Sequence, residues 1–401
     1  MQKIAFVISA FGGSTMPLVE TFLKLGYNVD LYNCVDPRIH KTSFESFEVY
    51  CNPSICEVRK VKSFGEGMHR FREYSQKGQF KMFQVGHLRI THTKNRFLQD
   101  SLMHLFILYF AKLLKKQSYL FVNVIGQQFF LSDLSARLTS IKVNVFHSLH
   151  EVFQDHLNGR FLDKTITPLL SSHVPINVFS QKTANDLKQM LPLNCNKITY
   201  IPFGLFTGYL EYDEIEIPEL NGVEDYILFY GYIRPYKGLN VLYKAVQKLR
   251  ARGFYYPVVI AGSNNNALLD EMKKSGDFII INKWLDNASL VTLIKRCHVV
   301  VCPYLSSSQT GITQTVFNFD KPIIASKVSA FLDTIEDNIT GMLVNVSDSE
   351  GLCEKMIESY ENKKLYLDMC NNIMDFRIHL SSENWVNIAQ KYIKNYTKEK
   401  C

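Results

Sequence analysis

Apolar residues recur along this chain in two alternating rhythms. Runs of strand length at Ile4 to Ala10, Val29 to Asn33, Leu120 to Ile125 and Val143 to His147 alternate with stretches of helical spacing, such as Leu18, Phe22 and Leu25. Continuous short apolar runs read as buried strands, and recurrence every third or fourth residue reads as an amphipathic helix. Their alternation predicts βαβ units, hence a mainly parallel sheet with helices on both faces. A second alternation follows, with strands over 226–231, 257–261, 278–282, 298–302, 322–326 and 341–345. Helices are predicted between them over 238–250, 266–275 and 287–296, from about 311, and from 345 to the end.

The two alternations are separated by Glu211 to Asp225, an acidic stretch with Pro218 and Gly222 and without a single Lys or Arg. It reads as an interdomain linker. A length of 401 residues with 46% apolar content suits two globular domains. The fold class is therefore α/β with two Rossmann-like domains, and a cleft between them is expected.

Nine cysteines are scattered without a CxxC pair or zinc-like spacing, so neither a disulfide framework nor a metal cluster is indicated, and a reducing, cytoplasmic setting fits. The opening MQKIAFVISAFGG has the look of a signal peptide, but a helix with core spacing follows at once and favours a first buried strand. The longest apolar run, Leu102 to Leu114, is broken by His104 and Lys112. It falls short of the roughly 20 residues that cross a bilayer. The net charge of +7 is unevenly placed: from Arg59 to Lys116 thirteen Lys or Arg face only Glu66, Glu73 and Asp100. Interleaved with Phe64, Phe71, Phe80, Phe83 and Phe97, this basic face suits an anionic membrane surface or a phosphorylated acceptor, or is simply solvated. No helix-turn-helix, RNP or zinc pattern accompanies it, so nucleic acid is not an expected partner.

Chemistry is concentrated in a few places. Tyr226 to Val246, YILFYGYIRPYKGLNVLYKAV, reads as a buried strand, a glycine turn presenting Arg234 and Lys237, and an amphipathic helix. Two cations spaced three residues apart at a strand end suit a diphosphate, Arg offering a planar fork and Lys a mobile point charge; the plainer alternative is an ordinary turn with two solvated cations. From Val299 to Ser326 a strand ends at Pro303, a Ser/Thr/Gly-rich loop follows, and a helix begins near Thr310 and Gly311. Free amides at such a helix start can hold an anion, which makes Ser307, Gln309, Thr310, Gly311 and Ile312 candidates. After the first strand, Gly12, Gly13 and Ser14 form a weak signal for close backbone approach to a phosphate or sugar, without the full GxGxxG spacing of a dinucleotide site. Asn144 to His156 holds His147, His150, Glu151 and His156; nothing completes a metal set there, and a structural histidine is the plainer reading of His147.

These motifs resemble those of the retaining glycosyltransferases of family 4. In that family the strand-turn-helix carries an Arg and a Lys that grip the nucleotide-sugar diphosphate, matching Arg234 and Lys237. A Gly-Lys-Pro-Val-Ile-Ala-Ser-like strand matches Lys321 to Ser326, and aligning on it exposes a departure. Where the family has Glu, seven residues and Glu, this chain has Ser307 and Thr315. It resembles instead a branch with Gln-(Ser/Thr)-Gly in the loop, here Gln309, Thr310 and Gly311, often found in polysaccharide assembly, with hydroxyls and amides replacing the carboxylates.

The resemblance implies further roles. Lys283, Trp284 and Leu285 would meet the base, Gly12 and Gly13 the donor phosphates, and Ser14 the acceptor. His150 and Glu151 match a His-Asp turn opposite the donor sugar. Ile198 to Leu205 matches the turn closing the first domain, and Glu383 to Tyr396 matches a closing helix with Trp385, Ile388, Ala389 and Tyr392 on one face. The implied GT-B architecture has an acceptor domain over 1–208 completed by 381–401, a linker over 209–225 and a donor domain over 226–380. The implied activity is sugar transfer, with retained configuration, from a nucleoside-diphosphate-sugar to a glycan or lipid-linked acceptor, without metal or other cofactor, in the cytoplasm or at the inner membrane face. Two alternatives remain: a nucleotide-sugar epimerase of similar shape, and a non-catalytic nucleotide-sugar-binding partner of another transferase, which the missing glutamates favour.

Overall fold

The computed structural model of the protein describes residues 1–9, 12–35, 54–64, 68–86, 96–151, 153–154, 160–161, 163–190, 197–263 and 267–397. The chain divides into two compact units. The first takes 1–153, 161–203 and 384–401, and the second takes 154–160 and 204–383.

The first unit begins with β1 (Lys3–Ile8), α1 (Gly12–Lys24), β2 (Asn28–Val35), β3 (Glu57–Lys60), α2 (His69–Gln76) and β4 (Phe80–Gly86). It continues through α3 (Arg96–Lys116), β5 (Val122–Ile125), α4 (Phe129–Ser140), β6 (Val145–Leu149) and the short β7 (Phe153–Gln154) and β8 (Arg160–Phe161), of which Gln154 and Arg160 count with the second unit. Then come α5 (Asp163–Ser171), β9 (Ile176–Val178), α6 (Gln181–Met190) and β10 (Ile198–Tyr200). Eight strands form one sheet in the order β10-β9-β6-β5-β1-β2-β4-β3, parallel except for β3, which runs against β4. Alternate side chains of β1 face opposite layers, as the pleat requires. Ile4, Phe6 and Ile8 join Met16, Val19 and Phe22 of α1, whereas Ala5 and Val7 join Phe106, Phe110 and Leu114 of α3.

Half of this sheet was not among the predicted strands. β3 is short and half-exposed, β9 and β10 have three residues each, and β4 lies in the charged stretch assigned to a basic face. β4 also corrects that face. Phe71 and Phe80 are fully buried, and Phe64 and Phe83 pack against the cores. These four aromatics are core residues, and the side chain of Phe97 lies outside the described residues, as do Glu66, Arg89 and Lys94.

The second unit runs β11 (Tyr226–Tyr230), α7 (Leu239–Ala251), β12 (Val258–Ala261), α8 (Ala267–Ser275), β13 (Ile279–Ile281), α9 (Asn287–Arg296) and β14 (Cys297–Cys302). It closes with α10 (Ile312–Val316), β15 (Ile323–Ser326), α11 (Ser329–Leu332), β16 (Gly341–Val344), α12 (Ser349–Glu361) and α13 (Lys363–Tyr396). Its six strands are parallel in the order β13-β12-β11-β14-β15-β16. That order is the doubly wound Rossmann arrangement, in which ligands bind at the carboxyl ends of the strands where the winding reverses. Here the reversal lies between β11 and β14. β11 is apolar on both faces, Tyr226, Leu228 and Tyr230 on one and Ile227 and Phe229 on the other with Leu242 and Val246 of α7, as a central parallel strand must be.

The last turns of α13 pack with the first unit. Trp385, Ile388, Ala389, Tyr392 and Tyr396 lie in its core, Tyr396 stacks on Phe146 with centroids 3.6 Å apart, and Asn177 donates to the Tyr392 hydroxyl at 3.1 Å. No helix among the described residues is long and apolar enough to cross a membrane.

Candidate functional site

After β11 the chain turns at Gly231 (φ +100°), passes Tyr232, Ile233 and Arg234, makes one 3-10 turn over Pro235–Lys237, and enters α7 through Gly238. Gly238 has φ +70° and a Cβ there would sit 1.8 Å from the Pro303 carbonyl oxygen. Only glycine tolerates both conditions. The amide of Leu305 also donates to the Tyr236 carbonyl at 2.7 Å. The Arg/Lys turn and the Ser/Thr-rich loop, some seventy residues apart in sequence, are thus bound backbone to backbone at the reversal point.

The two cations are held differently. Arg234 is exposed, its guanidinium 4.5 Å over the ring of Tyr232, with no carboxylate paired to it among the described residues. Lys237 is only 8% exposed. Its Nζ donates to the Tyr230 carbonyl at 3.4 Å, lies 5.4 Å from the Tyr304 ring centroid, and a Cβ on Gly231 would come within 2.7 Å of it. Burial pulls its pKa down to about 8, opposed by the nearby Cys302. A buried ammonium without an acid partner among the described residues is a costly group that an incoming anion would stabilise. Tyr232 and Tyr304 were not sequence candidates; aromatic residues flanking a strand end look the same in sequence whether they fill a core or steer a cation.

In the loop after β14, the Ser307 hydroxyl donates to the Gln309 carbonyl at 3.1 Å, and the Thr310 hydroxyl accepts from the Ile312 amide at 3.3 Å. The Thr315 hydroxyl donates back to the Gly311 carbonyl at 2.9 Å. The hydrogens of Ser307 and Thr315, the positions of the missing glutamates, are therefore committed to local backbone, leaving their oxygen lone pairs as what they could offer a ligand. α10 has five residues, so its macrodipole is small and its start is a weak anion-holding helix end. Gly311 meets a different constraint: a Cβ would come 2.6 Å from the ring of Phe206, whose amide donates to the Gln314 carbonyl at 2.9 Å.

Sequence reading also missed Gln314. Its Oε1, like the Ser326 Oγ at the carboxyl end of β15, is buried without a hydrogen-bond partner among the described residues. Buried polar groups are normally bonded, so each is a place where a ligand hydroxyl or a water completes the structure.

The base candidates after β13 are not alike. Lys283 pairs with Glu219 at 2.6 Å, Trp284 is 64% exposed rather than core, and Leu285 packs against the apolar cluster of the unit.

In the first unit, Gly12 and Gly13 open α1, with Ser14 buried in its first turn; a Cβ on Gly13 would meet nothing within 4 Å. His150 follows β6 and is buried, its ring 4.9 Å from Phe179 and 5.4 Å from Phe203 by centroid. The Glu151 carbonyl accepts from Gln127 at 3.2 Å. His147 is fully buried, with Nδ1 at 2.8 Å from the Ser135 hydroxyl and Nε2 at 2.8 Å from the Gly126 carbonyl. A carbonyl only accepts, so Nε2 carries the proton and Nδ1 accepts from Ser135. Burial holds its pKa near 4, and the ring is a neutral structural group. His156 lies outside the described residues.

The fold has solved counterparts. Sucrose-phosphate synthase from Thermosynechococcus elongatus matches with a TM-score of 0.66 over 99% of this chain and 98% of that one, at 14% identity. Anabaena HepE in complex with UDP matches with a TM-score of 0.61 over 98% and 99%, at 12% identity. The fold is GT-B. In sequence, residues 224–362 match the family model described as glycosyl transferases group 1. The chain is 28% identical over 246 residues to the O-antigen chain mannosyltransferase C of Escherichia coli, covering 58% of this chain and 62% of that protein. It is 29% identical over 145 residues to the phosphatidyl-myo-inositol mannosyltransferase of Mycolicibacterium smegmatis, covering 35% and 37%. The matched stretches thus span less than two thirds of either curated relative. The group 1 match falls within the second unit, where Arg234 and Lys237 lie.

Proposed function

We propose that this protein is a retaining glycosyltransferase that moves a sugar from a nucleoside-diphosphate-sugar to a hydroxyl of a glycan or lipid-linked acceptor in surface polysaccharide assembly. The observation that carries this reading is the buried Lys237, without an acid partner among the described residues, beside Arg234 at the reversal point of the β11–β14 sheet. Both relatives are named as mannosyltransferases, so a mannosyl donor is the first to test.

In this mechanism the bond from the anomeric carbon to the diphosphate oxygen breaks as charge builds on the diphosphate. Arg234 and Lys237 stabilise that charge in a partly water-excluded site. The acceptor hydroxyl attacks from the same face, its oxygen bonds the anomeric carbon, and its proton passes to a diphosphate oxygen. Ser307, Gln309, Thr310, Gly311, Ile312 and Thr315 hold the donor, with Lys283, Trp284 and Leu285 near the base. Gly12 and Gly13 serve the phosphates, His150 is assigned with Arg234 and Lys237 as a catalytic residue, and Ser14 and Glu151 serve the acceptor side. The two cations supply the charge that a divalent ion supplies elsewhere, so turnover is expected to survive EDTA. Cytoplasmic action at the inner membrane face belongs to the same reading.

Thermal-shift screening against UDP, GDP, ADP and their sugars tests it, because a ligand that binds only the folded state raises its stability. No shift with any nucleoside diphosphate overturns the proposal. A non-catalytic donor-binding role is the second reading, favoured by the local bonding of Ser307 and Thr315; binding without nucleoside-diphosphate release in the presence of any acceptor supports it.

A further inference from the structure

α3 is apolar on two opposite faces. Met103, Phe106, Ile107, Phe110, Ala111 and Leu114 are buried, each at most 4% exposed, and they hold the helix to the sheet. On the other side Leu102, Leu105 and Tyr109 are 47%, 62% and 56% exposed. At about 100° per residue these three fall with the exposed Lys112 and Lys116 inside an arc of roughly 80°. A contiguous outward stripe of large apolar side chains ending in lysines is not an ordinary solvated face.

We infer that this stripe of α3 is the surface by which the protein docks on an anionic lipid bilayer, Leu102, Leu105 and Tyr109 entering the headgroup region while Lys112 and Lys116 reach its phosphates.

The stripe has the composition of an interfacial helix, apolar groups that gain from burial at the headgroup boundary beside lysines attracted by anionic lipid. A lysine can lay its methylene stem along apolar surface while its ammonium group stays in water. A second copy of the chain is the less favourable occupant, because a two-fold contact sets the same patch against itself. Lys112 and Lys116 would then meet an arc that carries cations and no carboxylate. Asp133 of α4 lies off the arc, beside His104 at 3.8 Å. The basic stretch seen in the sequence is thus given its apolar component by α3 and not by the phenylalanines around it.

The inference rests on the lipid-linked acceptor reading for its purpose, but its test uses neither donor nor acceptor, so either can fail alone. The full-length protein is co-sedimented with phosphatidylcholine vesicles and with vesicles of phosphatidylcholine and phosphatidylglycerol, alongside Leu105→Asp, Tyr109→Asp, Lys112→Gln and Lys116→Gln. All four positions are exposed, and matched thermal melts check folding. Expected are binding to the anionic vesicles only, loss of about fivefold in partitioning for each lysine removed, loss of at least tenfold for either aspartate, and release by high salt. Wild type that ignores anionic vesicles, or Leu105→Asp that binds them unchanged, overturns the inference. So does a wild-type dimer in light scattering that Leu105→Asp converts to monomer, which assigns the stripe to a second copy.

Discussion

Gly238 packs so tightly on Pro303 that the position a Cβ would take is 1.8 Å from the proline carbonyl oxygen. This approach joins the turn bearing Arg234 and Lys237 to the loop bearing Ser307 to Gly311. Gly238→Ala must both adopt a left-handed backbone and push Pro303 away. It is expected to lose about 2 to 4 kcal/mol in denaturant unfolding and most nucleoside-diphosphate affinity. Unchanged affinity in a stably folded variant would mean that the two loops do not act as one site.

Removing either cation is expected to cost about 1.5 to 3 kcal/mol, or one to two decades in kcat/KM. Tyr232 acts on Arg234 alone, through a ring 4.5 Å from the guanidinium. An exposed cation–π contact is worth about 0.5 to 1 kcal/mol, so Tyr232→Leu should raise donor KM about threefold and have no further effect in an Arg234→Ala background. An additive double mutant would separate the two residues.

The lowered pKa of Lys237 sets a pH dependence. In the free protein the ammonium is lost as pH rises through about 8, and a bound diphosphate holds the proton more tightly. Affinity for nucleoside diphosphate is therefore flat below that value and falls above it, by up to tenfold per pH unit. Calorimetry in two buffers of different ionisation enthalpy should show proton uptake near that pH. Lys237→Arg, which does not titrate there, should bind without the fall.

His147 has the opposite interest, since it acts on stability. Its pKa lies near 4 in the folded chain against 6.5 for a free side chain, so the unfolded state takes up a proton the folded state refuses. Stability is then fully present above about 6.5 and is lost as pH falls toward 4, by about 1.4 kcal/mol per unit. Urea unfolding at neutral pH and at about pH 5 measures this. His147→Gln should flatten the slope at some cost in stability, and an unchanged slope would place the acid sensitivity elsewhere.

The second unit was legible nearly strand by strand, because each of its strands is an apolar run bounded by helices with clear periodicity. In the first unit β3, β9 and β10 escaped because strands of three or four residues leave no period to read. Likewise the phenylalanines among the basic residues could have lined a surface until β4 took Phe80 into the core.

What the sequence determined by itself was local: the buried strand at Tyr226, the glycine after Lys237, the pairing of a fork-like and a point cation, and the replacement of two carboxylates by hydroxyls. Each of these is written in residue type and short spacing. What only the tertiary structure decided was which groups share a space and which remain available. It set Pro303 against Gly238, turned the Ser307 and Thr315 hydroxyls onto the carbonyls of Gln309 and Gly311, buried Lys237 without an acid and left Gln314 Oε1 unbonded among the described residues, and exposed Trp284 and the outer face of α3. Burial and pairing are properties of distant segments brought together by strand order, and no short stretch of chain carries them.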